Sequence, residues 1–175
     1  METDSPIIIR TATKEDAELI ADISQQTFID SFKNQNKQEN IDKFIKEQFT
    51  KARLIEEVGA PNNIFLLAYK DNKIAGYVRL RENNNPPELQ GTESIEIARL
   101  YAITEMIGKG IGKALMEESI KIAKAKNKKV IWLGVWKENE RAFSFYTRFG
   151  FEKFAEHDFI LGNEVQKDWL MKREL

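Results

Sequence analysis

Apolar positions along this chain keep two rhythms. Runs of consecutive or alternating β-branched and aromatic residues predict strands at Ile7–Arg10, Ile64–Tyr69, Ile74–Leu80, Ile95–Ile103 and Val130–Val135, because such side chains fit a pleated, half-buried surface. Phe154–Leu161 and Val165–Met171 predict a closing hairpin around Gly162-Asn163, and Lys70–Lys73 has the composition of a hairpin turn. Apolar residues three and four apart predict helices. One starts at Thr13-Lys14-Glu15-Asp16, which has the form of a capping box. It runs to about Ile29 with Ala17, Ile20, Ala21, Ser24 and Phe28 on one face. A polar stretch, Lys33–Asn40, interrupts the rhythm, and short helices are expected at Ile41–Phe49 and Leu54–Val58. Longer helices are expected at Ile111–Lys126 and Asn139–Phe149, the last stopped by Gly150. One strand, helices, three strands, helix, strand, helix and two strands is the order of an α/β fold with a mixed sheet.

With 175 residues and 42% hydrophobic content, the chain suits one domain, residues 1–175, with a sizeable core. Its net charge of −1 supplies no basic field to gather nucleic acid. The lack of cysteine excludes a disulfide framework, thiolate metal ligands and a cysteine nucleophile. His157 is the single histidine, which excludes a multi-histidine metal centre and leaves carboxylates alone to hold any metal. No segment has the length of a membrane span, and the acidic start Met1–Pro6 lacks an apolar export stretch. A cytoplasmic protein with neither membrane nor nucleic acid as partner is expected.

The chemistry concentrates in Gly108-Lys109-Gly110-Ile111-Gly112-Lys113, between a predicted strand and a predicted helix. Glycines at alternate positions let the backbone turn tightly and present N–H groups. The helix N-terminus that follows adds unsatisfied donors and partial positive charge. Such a site suits a phosphate. A Walker A loop needs four residues between its first glycine and its Gly-Lys pair. Here Lys109, Gly110 and Ile111 are the only residues between, and Ala114 stands where the Mg²⁺-binding Ser or Thr belongs. A dinucleotide fingerprint needs Gly-x-Gly-x-x-Gly in the first βαβ unit and an acid ending the next strand. Here the spacing is Gly-x-Gly-x-Gly, the site lies mid-chain, and no acid ends Val130–Val135. A glycine-rich turn with no ligand is the plain alternative.

Two longer segments narrow the choice. Leu100-Tyr101-Ala102-Ile103-Thr104-Glu105-Met106-Ile107-Gly108-Lys109-Gly110-Ile111-Gly112 resembles the acyl-CoA-binding signature of the GCN5-related N-acetyltransferases (GNATs). Downstream, Asn139 after a strand, then Ala142, the Phe145-Tyr146 pair and Gly150-Phe151 are similar to that family's second signature. The resemblance covers nearly the whole chain. It implies a mixed, mainly antiparallel seven-stranded sheet flanked by helices and splayed at a central bulged strand. It also implies an acetyl-CoA-dependent N-acetyltransferase in which a primary amine attacks directly within a ternary complex. A narrower resemblance, to the bacterial PaiA-like polyamine N-acetyltransferases, is carried by Thr27-Phe28, Phe32, Asn36, Trp132–Trp136, His157–Gly162, Gln166 and Asp168. It implies spermidine or spermine as acceptor.

The resemblance assigns roles residue by residue. The backbone of Leu100, Tyr101 and Ala102 pairs with the pantetheine arm, and the N–H groups of Gly108, Lys109, Gly110, Ile111, Gly112 and Lys113 hold the pyrophosphate. Ile107 stands where the family commonly has Gln or Arg, so Lys109 and Lys113 become the candidates for added charge; both also fit as solvated lysines. Asn139 bonds the cofactor arm or simply caps a helix. Tyr146 is the candidate acid, since a phenol with a pKa of about 10 is protonated at working pH and can donate to a departing thiolate; the plain reading packs it beside Phe143 and Phe149. For the base, Glu96 shares a strand face with Ala98, where some polyamine acetyltransferases have Glu. It acts through water, holds a cationic substrate, or is a surface carboxylate without a role. Glu93 is the next candidate. His157 is read as structural, Trp132 and Trp136 as core and wall, and Lys121, Lys124, Lys126, Lys128 and Lys129 as a solvated face.

Asp30, Glu39, Asp42, Glu47, Glu93 and Glu96 lie in or near the segments expected to choose the acceptor. Acidic lining suits a polycation, but it also suits an ordinary surface, so the polyamine expectation rests on the resemblance. Two other readings stay open: an N-acetyltransferase for an amino-acid or protein N-terminal amine, and a non-catalytic acyl-CoA sensor. The edge of the C-terminal hairpin is a candidate homodimer contact.

Overall fold

The computed structural model describes residues 4–175; of the acidic start expected at Met1–Pro6, the first three residues lie outside them. The strands are β1 (Ile8–Thr11), β2 (Asn63–Lys70), β3 (Lys73–Glu82), β4 (Ser94–Ala102), β5 (Val130–Trp136), β6 (Glu152–Leu161) and β7 (Glu164–Glu174). They form one seven-stranded sheet in the order β1-β2-β3-β4-β5-β7-β6. Every neighbouring pair is antiparallel except β4 and β5. A parallel pair needs a crossover long enough for a helix, and α4 (Ile111–Ala125) supplies it.

Helices cover both faces. On one face α4 buries Ile111, Leu115, Met116, Ile120 and Ala123 against the sheet, and α5 (Glu140–Arg148) buries Tyr146 beside them. On the other lie α1 (Ala17–Phe32), α2 (Gln38–Gln48) and α3 (Lys51–Glu57). The unbroken apolar run in β2 follows from this sandwiching: Leu66 and Ala68 pack with the α4 core, whereas Phe65 and Leu67 pack with Ile20 and Ile23 of α1.

The expected elements are present, with shifted ends. Lys14–Asp16 forms a 3₁₀ turn before α1, and the Asp16 carboxylate accepts the Thr13 N–H at 2.8 Å. α1 continues past Ile29 to Phe32, because Phe28 and Phe32 extend the buried stripe and stack at 4.5 Å. α2 begins at Gln38 rather than Ile41, since its first turn is polar: Gln38 and Glu39 are exposed, and the buried Asn40 is satisfied by the Asn163 N–H. Thr50 starts α3 three residues before Leu54 by accepting the Arg53 N–H at 3.3 Å. Both hairpin strands are longer than their apolar runs; β7 reaches Glu174, paired with Val130. β6 is the outer strand, and Ile160 and Val165 near its turn are exposed.

Candidate active site

The site begins where the sheet comes apart. β4 and β5 pair only from Ser94 to Ile97 against Val130 to Leu133. Beyond that point Ala98–Ala102 belong to β4 but not to any ladder with β5, while Gly134–Trp136 continue along β7. On the β3 side, Arg79 faces Arg99 and Leu80 faces Ile97, so Ala98 is the extra residue of a bulge. A bulge bends its strand and sharpens the local twist, and here it steers β4 away from β5. A cleft of about 600 Å³ fills the gap, which is the size of a small-ligand site.

At one end of the cleft lies the glycine-rich loop. Gly108 and Gly110 adopt φ of +83° and +85°, a region that strains any residue with a β-carbon. No main-chain acceptor takes the N–H groups of Gly108, Gly110, Ile111, Gly112 or Lys113. They are the free donors of a loop and a helix N-terminus. Gly108, Gly110, Ile111, Gly112 and Lys113 line the cleft, as does Ile107; Lys109 does not. Leu100, Tyr101 and Ala102 form the β4 wall. Because β4 is paired on its β3 side alone here, its remaining N–H and C=O groups face the gap.

α5 forms the opposite wall. Asn139 caps it by accepting the Ala142 N–H at 3.1 Å and also borders the cleft. The capping role expected of Asn139 is present. Arg141 and Arg148, two turns apart with Phe145 between them, line the cleft as well. Tyr146 comes from the same helix, with its ring edge-on to Phe145 (5.3 Å) and Phe151 (5.9 Å). Burial pushes its phenol up to about 12, so it keeps its proton throughout the physiological range.

The other end of the cleft is built by α1, β4 and β5, with β7 behind it. Thr27, Asp30 and Ser31 of α1 line it, with Trp136 of β5 stacked on Phe32 at 5.2 Å. Asp30 accepts from Gln26 (3.0 Å), Thr104 (2.9 Å) and Lys33 (3.3 Å). Arg99, next to the bulge, is bound to Glu57 of α3, which also pairs with Arg79 at 3.2 Å. Burial and the adjacent Arg99 push Arg79 down to about 10. On β7, Asp168 lies beside Gly134, a bare backbone position of the cleft wall; a β-carbon there would sit 3.5 Å from the Asp168 Oδ2.

Glu96 is not brought to the cleft. It points from β4 toward β3, where Arg81 grips both carboxylate oxygens (2.8 and 3.1 Å) and Asn84 donates at 3.0 Å. Strand alternation grouped Glu96 with Ala98, but the bulge at Ala98 interrupts that alternation and the arginine on the neighbouring strand captures the carboxylate. Glu93 lies at the outer end of the strand beside Lys128, at 3.9 Å. His157 bonds Glu88 at 2.9 Å through its Nε2. Trp132 is core, and Lys126 and Lys128 pair with Glu82 at 3.3 and 3.0 Å. The cleft residues that sequence reasoning missed are Arg99, Arg141 and Arg148, and it gave no role to Asp168, which stands behind the wall. The three-and-four spacing of Arg141, Phe145 and Arg148 was the available signal for that group.

The sequence model of the acetyltransferase (GNAT) family matches residues 20–151. An uncharacterised N-acetyltransferase of Lactobacillus delbrueckii subsp. lactis is 34% identical over 168 residues, covering 96% of each chain. The spermidine N(1)-acetyltransferase of Thermoplasma acidophilum is 30% identical over 166 residues, covering 91% of this chain and 98% of its own. The crystal structure of the PaiA N-acetyltransferase of Thermoplasma acidophilum in complex with coenzyme A superposes with a TM-score of 0.76 at 26% identity, over 97% of this chain and 99% of that one. A parted parallel strand pair, a loop of free N–H donors at a helix start, and a buried phenol across the gap are what an acyl-CoA-dependent acyl transfer needs. The chain belongs to the GNAT family of acetyltransferases and is an acetyl-CoA-dependent N-acetyltransferase.

Proposed function

We propose that the enzyme acetylates a primary amine of a polyamine such as spermidine or spermine. The observation that carries this reading is the side of the cleft built by α1 and β5, where the Asp30 carboxylate lines it together with Phe32 and Trp136, and Asp168 stands just behind the bare backbone of Gly134. A cationic chain is attracted by the carboxylates and can lie along the aromatic rings. Arg99 is offset only in part by Glu57, a carboxylate it shares with Arg79, so the acidic groups have one net cation to outweigh. The 30% identity with a spermidine N(1)-acetyltransferase supports the same choice.

In this reading acetyl-CoA lies with its pantetheine arm against Leu100, Tyr101 and Ala102. Its pyrophosphate sits on the free N–H groups of Gly108, Gly110, Ile111, Gly112 and Lys113, with Lys113, Arg141 and Arg148 as cations around the phosphates; the Lys109 N–H, bound to the Met106 carbonyl at 3.2 Å, takes no part. The thioester carbonyl then stands in the strand gap between Tyr146 and the α1 side of the cleft. Amine nitrogen attacks the carbonyl carbon, the C–N bond forms, the C–S bond breaks, and the Tyr146 hydroxyl gives its proton to the departing sulfur. Alignment of the two reactants in the gap supplies the main part of the acceleration, and the proton from Tyr146 adds a general-acid contribution. Asn139 holds the start of α5, and with it the position of Tyr146 seven residues on.

The test is the initial rate of thiol release from acetyl-CoA with spermidine, spermine, free amino acids and N-terminal peptides in parallel. Saturable turnover highest with the polyamines supports the reading. Turnover confined to amino acids or peptides would replace the acceptor and leave the transferase intact.

A further inference from the structure

Acetyl transfer to an amine also needs a place for the amine's proton, and Glu96, held by Arg81 and Asn84, is not free to supply one. The cleft offers another carboxylate. We propose that Asp168 accepts the proton which the acceptor amine loses as it attacks, directly or through one bridging water. This rests on the acetyl-transfer reading above.

Three observations place Asp168 for the task. Its register partners are Trp136 on β5 and His157 on β6, which sets it one strand in from the sheet edge and level with the end of β5 where β4 has parted from it. The missing side chain at Gly134 opens the cleft wall at that point, so the carboxylate is reached past bare backbone. Among the described residues, Asp168 makes neither a hydrogen bond nor an ion pair, whereas Glu57, Glu96 and Asp30 are all engaged. A half-buried carboxylate without a partner is costly to keep, and sites that keep one do so for chemistry more often than for stability.

The surrounding groups leave it basic enough for the purpose. Burial raises its pKa to about 6, and His157 on β6 opposes that rise. His157 is itself bound to Glu88. Tyr101 from β4 lies within electrostatic reach of both Asp168 and Tyr146 of α5, and burial raises the Tyr101 pKa, so it stays neutral. Arg99 from β4 is turned to Glu57 on α3. From α1, Ser31 and Phe32 carry no charge, and the Asp30 carboxylate is held by Gln26, Thr104 and Lys33.

The proton count closes. As the amine nitrogen bonds to the carbonyl carbon it becomes cationic and acidic, and its proton passes to the Asp168 carboxylate. The thiol leaves with the proton of Tyr146. Asp168 then returns one proton to solvent, and the Tyr146 phenolate takes one from solvent. Amide and free thiol are the products, and both side chains are restored.

The experiment measures kcat/KM for spermidine from pH 5 to 9 in the wild type, Asp168→Asn and Asp168→Glu, with the rise in Tm on adding coenzyme A as a check of the fold. Spermidine's own ammonium groups give a slope of one across this range. In the wild type, the slope should steepen to two below about pH 6 as Asp168 protonates. Asp168→Asn should lose about 10²- to 10³-fold in kcat/KM, keep a slope of one throughout, and show the same Tm rise with coenzyme A. Asp168→Glu should recover part of the rate together with the steepening. Near-normal activity in Asp168→Asn would overturn the inference. So would an unchanged steepening despite lost activity, or a lost response to coenzyme A in both variants. Wild-type protein that acetylates no amine would overturn the acetyl-transfer reading itself, and the inference with it.

Discussion

Gly162 and Asn40 meet with no room for a side chain between them: a β-carbon on Gly162 would lie 2.5 Å from the Asn40 Cα. The next residue, Asn163, donates its N–H to the Asn40 Oδ1 at 3.0 Å, and Gln166 donates to Asn36 Oδ1 at 2.6 Å. The turn between β6 and β7 is thereby fastened to the start of α2 and the end of α1. The end of α1 held in this way lines the cleft through Ser31, Phe32 and the following Gln35. Gly162 also has a φ of +61°, so a side chain is disfavoured there twice over.

Gly162→Ala should therefore lower stability by about 1–3 kcal/mol, measured as a reduced urea midpoint at unchanged slope. The damage should be local in function: KM for the amine should rise several-fold while KM for acetyl-CoA stays within about twofold. Equal effects on both constants would show that the contact supports the whole cleft.

Tyr146→Phe removes the hydroxyl and keeps the ring between Phe145 and Phe151. We expect kcat to fall by about 10²- to 10³-fold with little change in KM for acetyl-CoA. The pH dependence should not gain an alkaline limb below pH 9 in the wild type, because burial holds the phenol near 12. Retention of full kcat would move the acid role to water.

Arg141 and Arg148 face the cleft from α5 while Ile107 gives the loop an apolar side chain. Replacing either arginine by Ala should raise KM for acetyl-CoA by several-fold to about tenfold and reduce its salt dependence, since an exposed charge acting on a phosphate is screened. Initial rates at low and high salt would show this, and the amine KM should not follow.

Asp168 gives a stability prediction of opposite sign to its catalytic one. Its carboxyl pKa is raised by burial to about 6 in the folded chain, above the ordinary value of about 3.9. The folded state thus binds the proton more tightly than the unfolded state does, so the destabilisation from this group is absent below about pH 4, grows between pH 4 and 6, and is full at pH 7. Asp168→Asn should stabilise the protein at pH 7 by about 1–3 kcal/mol, and the gain should vanish near pH 4. Thermal melts of both proteins across that range would show a narrowing difference. A variant less stable than the wild type at pH 7 would place the carboxylate in a hydrogen-bonded role instead.

The parts of the site that could be read in the sequence are those made by neighbouring residues. Alternating glycines before a helix, Asn139 at a helix start, and Tyr146 on an aromatic helix face are local signals, and each residue sits at the cleft. Lys109 shares the motif but lies outside the cleft lining, and its N–H is taken by the Met106 carbonyl at 3.2 Å, a turn bond that the glycine spacing does not reveal. Glu96 illustrates what strand alternation leaves out. Arg81 comes from a separate strand and Asn84 from the loop after it, and only the β3–β4 register brings them within 3 Å. Asp168 entered the sequence reading only through the narrower resemblance and was given no role, because its place depends on a missing side chain thirty-four positions earlier, at Gly134. Helix ends were displaced wherever a polar first turn, as at Gln38, began a helix before its apolar stripe.

The parting of β4 from β5 makes the enzyme's sheet an unfinished one. A run of β4 backbone that would ordinarily be quenched by its neighbour is left open in the middle of the protein, where an ordinary edge strand would be a hazard. Whatever docks there must present amides at peptide-like spacing, and a pantetheine arm does. Recognition then falls on the carrier of the acyl group more than on the acyl group itself. A thioester on a short thiol has the same reactive carbonyl and should still be a poor donor. Longer acyl groups on coenzyme A should be limited only by the room that Tyr146, Trp136 and Gly134 leave at the head of the cleft.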